Sequence, residues 1–374
     1  MMKLFKDITW KNKYLKRLDI YIIAKFLGTY FFAILLIISI AVVFDFNEKM
    51  DKFFQHDAPW HAIIFDYYLN FIPYFANLFS PLFVFISVIF FTSKLAENSE
   101  IIAMFSSGVS FKRLLRPYLI SAAFIAVLTF LLGAYVIPQG SSTRIDFEDK
   151  YYKQRKTNVV RNIQMQVDTG VIAYMERFES QTKTGYRFSL DKFEGKQLVS
   201  HLTARNIDYD TIQGGYHWII RNYMIRNLQG MTEEIIRGTS IDTILYMKPD
   251  ELLVVKNKQE TFTSPQLRSY IASQKQRGIA NIQEFEIEYH KRIAMSFAAF
   301  ILTIIGVSLA ARKNKNGMGL NLGIGLALSF SYILFQTISS TFAVNANFPP
   351  FVAVWIPNVL YAFIALFLYK KAPK

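Results

Sequence analysis

The apolar positions of this chain follow two different rhythms. Six stretches, at about 19–44, 67–93, 113–137, 293–311, 318–341 and 350–369, run almost without charge for about 18 residues or more. That is the length a helix needs to cross a bilayer core roughly 30 Å thick. Between the third and fourth stretches the pattern changes. Segments such as "GYRFSLDKFEG", "LVSHLTARNIDYD" and "GGYHWIIRNYMIRNLQG" alternate apolar with polar and are punctuated by glycines. This predicts half-buried β-strands joined by turns, in a sandwich, a jelly roll or a partly open barrel. Helical spacing returns in "SPQLRSYIASQKQRGIANIQEFEIEYHKR", with a start at Ser264–Pro265 and a break at Gly278. The fold class is therefore an α-helical membrane protein of six spans, three before and three after an inserted all-β, jelly-roll-like domain. The domain boundaries read as 1–137 for the N-terminus and first three helices, 138–262 for the β-domain, 263–292 for a helical connector and 293–374 for the last three helices.

One further stretch does not span. "ENSEIIAMFSSGVSFKRLLRP" (97–117) places Ile101, Met104, Phe105 and Val109 on one helical face, with Glu97, Glu100 and Ser107 beside it. Two readings stand. It rests on the bilayer surface as an interfacial helix, or it docks into a basic groove of another protein. Interfacial helices carry basic polar faces, and the acids at this helix's start favour docking.

The formal net charge of +14 raises nucleic acid as a partner, and its distribution argues against it. Lys3, Lys6, Lys11, Lys13, Lys16 and Arg17 precede the first span. Lys94, Lys112, Arg113 and Arg116 lie between the second and third; Arg312, Lys313 and Lys315 lie between the fourth and fifth; and Lys370, Lys371 and Lys374 follow the sixth. The alternate loops, "DFNEKMDKFFQHDAPWH" and "TFAVNANFPP", are slightly acidic and uncharged. This is the positive-inside pattern, which puts both termini in the cytoplasm and the β-domain on the opposite side. The first apolar run exceeds the roughly 7–15 residues of a signal peptide's core, so it reads as a retained span. With no cysteine, folding needs no disulfide and zinc-thiolate sites are absent.

Candidate chemistry is sparse. No G-x-x-x-x-G-K-[ST] loop, H-E-x-x-H pair or G-x-S-x-G elbow occurs. Gly319 and Gly323 have the spacing of a small-residue helix contact, with a hinge or substrate gate as the other reading. Asp66 and Lys25 read as interfacial residues more readily than as members of a proton relay. An ion-driven carrier would require paired charges and broken helices at the midplane, and neither is read here.

"SEIIAMFSSGVS", then "VIPQGS", then a β-domain, then "EYHKRIAMSFAAFILTIIGVSL" resemble, in that order, the LptF/LptG family of lipopolysaccharide-export permeases. The resemblance implies a non-catalytic subunit of an ABC transporter in the bacterial inner membrane. Its partners would be an LptB-like ATPase dimer, a second LptF/LptG permease or a second copy of itself, and an LptC-like periplasmic jelly-roll protein. The substrate would be lipopolysaccharide, passed to a periplasmic bridge. This chain would bind no cofactor, ATP and Mg belonging to the ATPase. The segment 97–108 would be the coupling helix, with Glu100 contacting the ATPase and Glu97, Ser107 and Gly108 supporting it. Family members carry lysines near the lipid A phosphates; Lys49 and Lys52 fall in that neighbourhood beside Asp45, Glu48 and Asp51, as phosphate contacts or as solvated loop lysines. Phe31, Phe32 and Leu35, on the span that lines the family's lateral gate, would touch acyl chains. A membrane-anchored periplasmic binding or scaffold protein is the alternative, but an anchor needs one span and no acidic cytoplasmic helix.

Overall fold

The computed structural model describes residues 16–151, 159–212, 214–230, 232–252, 258–276, 282–312, 317–345 and 348–372. Lys3, Lys6, Lys11, Lys13, Gly278, Lys313, Lys315 and Lys374 lie outside the described residues. The chain divides into two compact units, a helical one from the segments before residue 153 and after 282, and a second one from residues 153–282.

The helical unit begins with α1 (Arg17–Gln55). A short α2 (Trp60–Ala62), a π-helical turn (Ile63–Tyr68) and α3 (Leu69–Leu78) follow, and then α4 (Ser80–Glu97). After α5 (Glu100–Ser106), α6 (Phe111–Leu131) passes through a second π turn (Leu132–Val136) into α7 (Ile137–Tyr151). The unit closes with α10 (Gln283–Ala310), α11 (Gly317–Asn345) and α12 (Pro350–Lys371). Six of these stretches are long and apolar enough to cross a membrane.

The second span departs from the expected single helix. Pro81 has no N–H to give the carbonyl of Asn77, and its fixed φ suits the first turn of a new helix. The chain accordingly breaks at Phe79 (φ −95°, ψ 7°) and restarts as α4 with Pro81 in its first turn. A broken helix is thus present where none was read. The third span also runs further than expected, because the helix continues past residue 137 to Tyr151.

The core of the unit is α4 and α10. In α4, 78% of the span is covered by the rest of the chain, against 17% in α1 and 22% in α11. Lipid tails are as apolar as leucine, so membrane helices associate through small residues and buried polar groups. Both are visible here. Tyr30 of α1 and Ser80 of α4 share a 2.8 Å hydrogen bond, Thr92 of α4 donates to Tyr118 of α6 at 2.9 Å, and Asn321 of α11 donates to Ser93 at 3.2 Å. Asn358 of α12 accepts from Tyr332 and donates to the Ala294 carbonyl, both at 2.8 Å, tying three helices together. A Cβ on Gly306 would lie 2.7 Å from Val88, and one on Gly325 would lie 2.3 Å from Ile89. Gly319 and Gly323, expected at a helix contact, have open space at the same position. The close contact uses the next glycine along.

The second unit is a six-stranded antiparallel sheet whose strands follow chain order: β1 (Val159–Asp168), β2 (Val171–Glu179), β3 (Thr184–Glu194), β4 (Gln197–Tyr209), β5 (His217–Gln229) and β6 (Thr232–Ile244). Short α8 (Pro249–Leu252) and α9 (Ser264–Gln276) follow. Its core gathers Met175, Phe178, Phe188, Ile207 and Trp218, and the Trp218 indole donates to the Met247 carbonyl at 3.0 Å. The sheet is creased along one transverse line. Asn162, Arg187 and Asn222 take positive φ (55°, 50° and 50°) inside their strands, and the registers align them in a single row. Three strands change which side chains face the core as they cross that row: Met175 then Phe178 in β2, Ala204 then Ile207 in β4, and Ile220 then Tyr223 in β5. A left-handed residue inside a strand bends it and resets its period of two, and here it does so without an inserted residue, since the pairing register is the same on both sides of the row.

Candidate functional site

The residues from Lys94 to Arg116 form an elbow between α4 and α6. Ser99 adopts φ 62°, which ends α4 and lets α5 start afresh at Glu100. The exit follows from "MFSSGVS". Gly108, at φ 84°, donates to the Phe105 carbonyl at 3.0 Å, and Val109 donates to the Met104 carbonyl at 3.1 Å. These are the paired bonds of a Schellman stop, for which glycine supplies the left-handed residue. Ser110 then caps α6, its hydroxyl accepting from the Arg113 amide at 3.3 Å.

The apolar stripe read in the sequence faces inward. Ile101 is fully buried, and Met104 and Phe105 pack on the main helical core. The outward face carries Ile102, Ala103, Ser106, Ser107 and Gly108, with Glu97 exposed at the end of α4. The helix expected over 97–108 is therefore the seven residues 100–106, and Glu97 belongs to the preceding helix. Any partner meets its small and polar side and the Ile102 tip, because the stripe is already used to seat the helix.

Glu100 is held at both oxygens: Tyr21 of α1 donates to Oε2 at 3.4 Å and Asn98 to Oε1 at 3.3 Å. Behind it, Arg113 at the foot of α6 grips Asp19 at the foot of α1 with two parallel bonds of 2.6 and 2.7 Å. Asp19 is 1% exposed, and it also accepts from the Lys16 amide at 2.9 Å. A bidentate guanidinium–carboxylate fork fixes relative orientation as well as distance. Glu100, Tyr21, Asp19 and Arg113 therefore join the elbow to α1. Tyr21, Asp19 and Arg113 were not singled out from the sequence; an acid in the first turn of an otherwise basic leader was the one visible signal.

The other candidate residues occupy α1 further along. Lys49 turns inward, bonded to Asp45 at 2.5 Å and to the Tyr67 hydroxyl; Asp45 also accepts from Tyr67 at 3.0 Å and Tyr68 at 3.2 Å. Its ammonium also lies over the Tyr67 ring, 4.9 Å from the centroid. Lys52, three residues on in the same helix, is exposed, whereas Lys49 is half-buried. Phe31, Phe32 and Leu35 lie on one continuous open apolar face of α1, with Phe32 65% and Leu35 68% exposed.

Six apolar helices, four of them packed around the pair α4 and α10, with an inserted antiparallel sheet and a short seated helix at an elbow, define a multi-pass membrane protein. The family described as "Lipopolysaccharide export system permease LptF/LptG" matches residues 20–371, and the chain belongs to it. It is similar to the "Lipopolysaccharide export system permease protein LptG" of Haemophilus influenzae, at 21% identity over 296 residues that cover 78% of this chain and 80% of that protein. Membership makes this chain a lipopolysaccharide-export permease and a multi-pass inner-membrane protein.

Proposed function

We propose that the chain is the membrane subunit of an ABC exporter, with the α4–α5–α6 elbow as the place where an ATPase dimer acts on it. The seated α5, with Glu100 tied to Tyr21 and Arg113 tied to Asp19, is the observation that carries this reading. A push on α5 reaches α6 through the Ser110 cap and α1 through two polar links, and α1 is the least covered of the six spans. The elbow and both termini then face the cytoplasm, and the sheet faces the periplasm.

The open faces of α1 and α11 are where a second permease, of the F or G type or a copy of this chain, would enclose a cavity for lipopolysaccharide. Phe31, Phe32 and Leu35 would meet its acyl chains. Lys49 and Lys52 would meet a lipid A phosphate, with Lys52 the more exposed of the two. Strand β6 is an outer edge of the sheet and exposes Ile235, Ile236 and Ile241. Such an edge can accept a strand from an LptC-like jelly roll.

The test is release of lipopolysaccharide from proteoliposomes containing this chain and its co-purified partners. Release requiring both ATP and a periplasmic acceptor is the expected result. Release without ATP, or none with every partner present, would overturn the reading.

A further inference from the structure

A groove of about 950 Å³ opens beside the elbow, between α6, α10 and α12. It lies at the upper end of the roughly 300–1,000 Å³ typical of ligand pockets. It exists because the facing positions Ala123, Ala362 and Ala365 are small, while the rings of Phe111 and Tyr369, 5.6 Å apart, hold the ends of α6 and α12 together. Its walls are otherwise apolar, with Ile301 and Ile304 from α10.

The polar groups collect at one end. Lys112, Arg113 and Arg116 line the mouth, with Ser110 and Tyr369 beside them. Asp19 engages Arg113; among the described residues no carboxylate pairs with Lys112 or Arg116. Three cations against one carboxylate leave the mouth net positive. From Lys112 to Ala123 is 11 residues of helix, or about 16 Å at 1.5 Å per residue. That is close to half of the roughly 30 Å hydrocarbon core. An apolar slot one leaflet deep with a cationic mouth has the shape and charge of one lipid class, and basic pockets between spans on the cytoplasmic side bind anionic headgroups.

We propose that this groove binds one anionic glycerophospholipid of the leaflet on the elbow's side. The phosphate sits on Lys112 and Arg116 and shares the outer edge of Arg113, and an acyl chain lies along Ala123, Ala362 and Ala365. Because Arg113 also orients Asp19, the bound lipid steadies the foot of α6 against α1. The site rests on the membrane orientation proposed above and on no step of export.

The test is native mass spectrometry of the purified full chain, with whatever subunits accompany it, titrated with phosphatidylglycerol and phosphatidylcholine of matched acyl chains. One retained phosphatidylglycerol per chain, bound about ten-fold more tightly than phosphatidylcholine, or about 1.4 kcal/mol, is expected. Lys112→Gln with Arg116→Gln should abolish the preference, and Ala123→Phe, which plugs the slot and leaves the charge alone, should abolish retention. If Ala123→Phe lowers the melting temperature in detergent, Ala362→Phe replaces it. Equal retention of the two lipids would overturn the proposal. So would a preference that survives the plug, which would be surface attraction, or equal competition by glycerol phosphate, which would mark a plain phosphate site. A photo-crosslinker at position 366 that captures a protein helix would also overturn it. The readout needs neither ATP nor lipopolysaccharide, so its failure and failure of the export reading are separate results.

Discussion

Arg113 and Asp19, 94 positions apart, close a two-pronged ion pair at 2.6 and 2.7 Å that binds the foot of α6 to the foot of α1. The carboxylate is buried and the guanidinium only partly so. Removing the arginine strands a buried charge, whereas removing the carboxylate leaves a cation that can reach water. Arg113→Ala is therefore expected to cost more stability than Asp19→Ala, with the former near the lower end of the roughly 3–5 kcal/mol seen for broken buried pairs. Melting temperatures of the two variants and of the double variant, in one detergent, measure the difference and the coupling.

Tyr21 and Glu100 carry the second link between elbow and α1. The bond is exposed and long, so Tyr21→Phe should change stability by no more than about 0.5 kcal/mol. If the link transmits motion, the same substitution lowers lipopolysaccharide release per ATP hydrolysed. Hydrolysis and release measured on one preparation give that ratio.

Gly306 and Gly325 let α10 and α11 lie directly on α4. Gly325→Leu forces a side chain into Ile89 and Phe85, and overpacking of this kind costs about 1–3 kcal/mol. Gly319→Leu meets open space within the chain and should leave the melting temperature of the isolated chain unchanged. The pair of variants, compared by thermal unfolding, separates packing from mere helix propensity.

The absence of cysteine makes orientation directly measurable. Ile212, 95% exposed in the turn between β4 and β5, and Ser107, exposed on the elbow, each accept a single cysteine without burial cost. Ile212→Cys should react with a membrane-impermeant maleimide from the periplasmic side, and Ser107→Cys only after the inner membrane is permeabilised.

How much of this was legible in the chain depends on the range of the physics involved. The six apolar blocks and the strands around "GYRFSLDKFEG" and "GGYHWIIRNYMIRNLQG" are local patterns, and they appear as helices and as β3 and β5. The break at Phe79 was signalled by Pro81, a residue that membrane helices also tolerate unbroken. Period-two reading fails across Ala204–Ile207 because the creased row shifts the core face by one residue. In α5 the stripe was visible, but what it packs against was not: Ile101 finds its partners within the chain's own helical core. The Asp19–Arg113 fork was beyond reach, since its members lie in different spans and nothing local marks their pairing.

The central claim is that the elbow couples this permease to an ATPase, and one purification tests it most directly. The tagged chain, and its Glu100→Arg variant, are taken gently from their own membranes and the accompanying proteins identified and counted. The wild type should bring down a stoichiometric ABC ATPase together with a second six-span permease or a second copy of itself. The variant should reach the membrane in equal amount and lose lipopolysaccharide export. Periplasmic proteins alone across several mild detergents, or normal export by Glu100→Arg, would contradict the account.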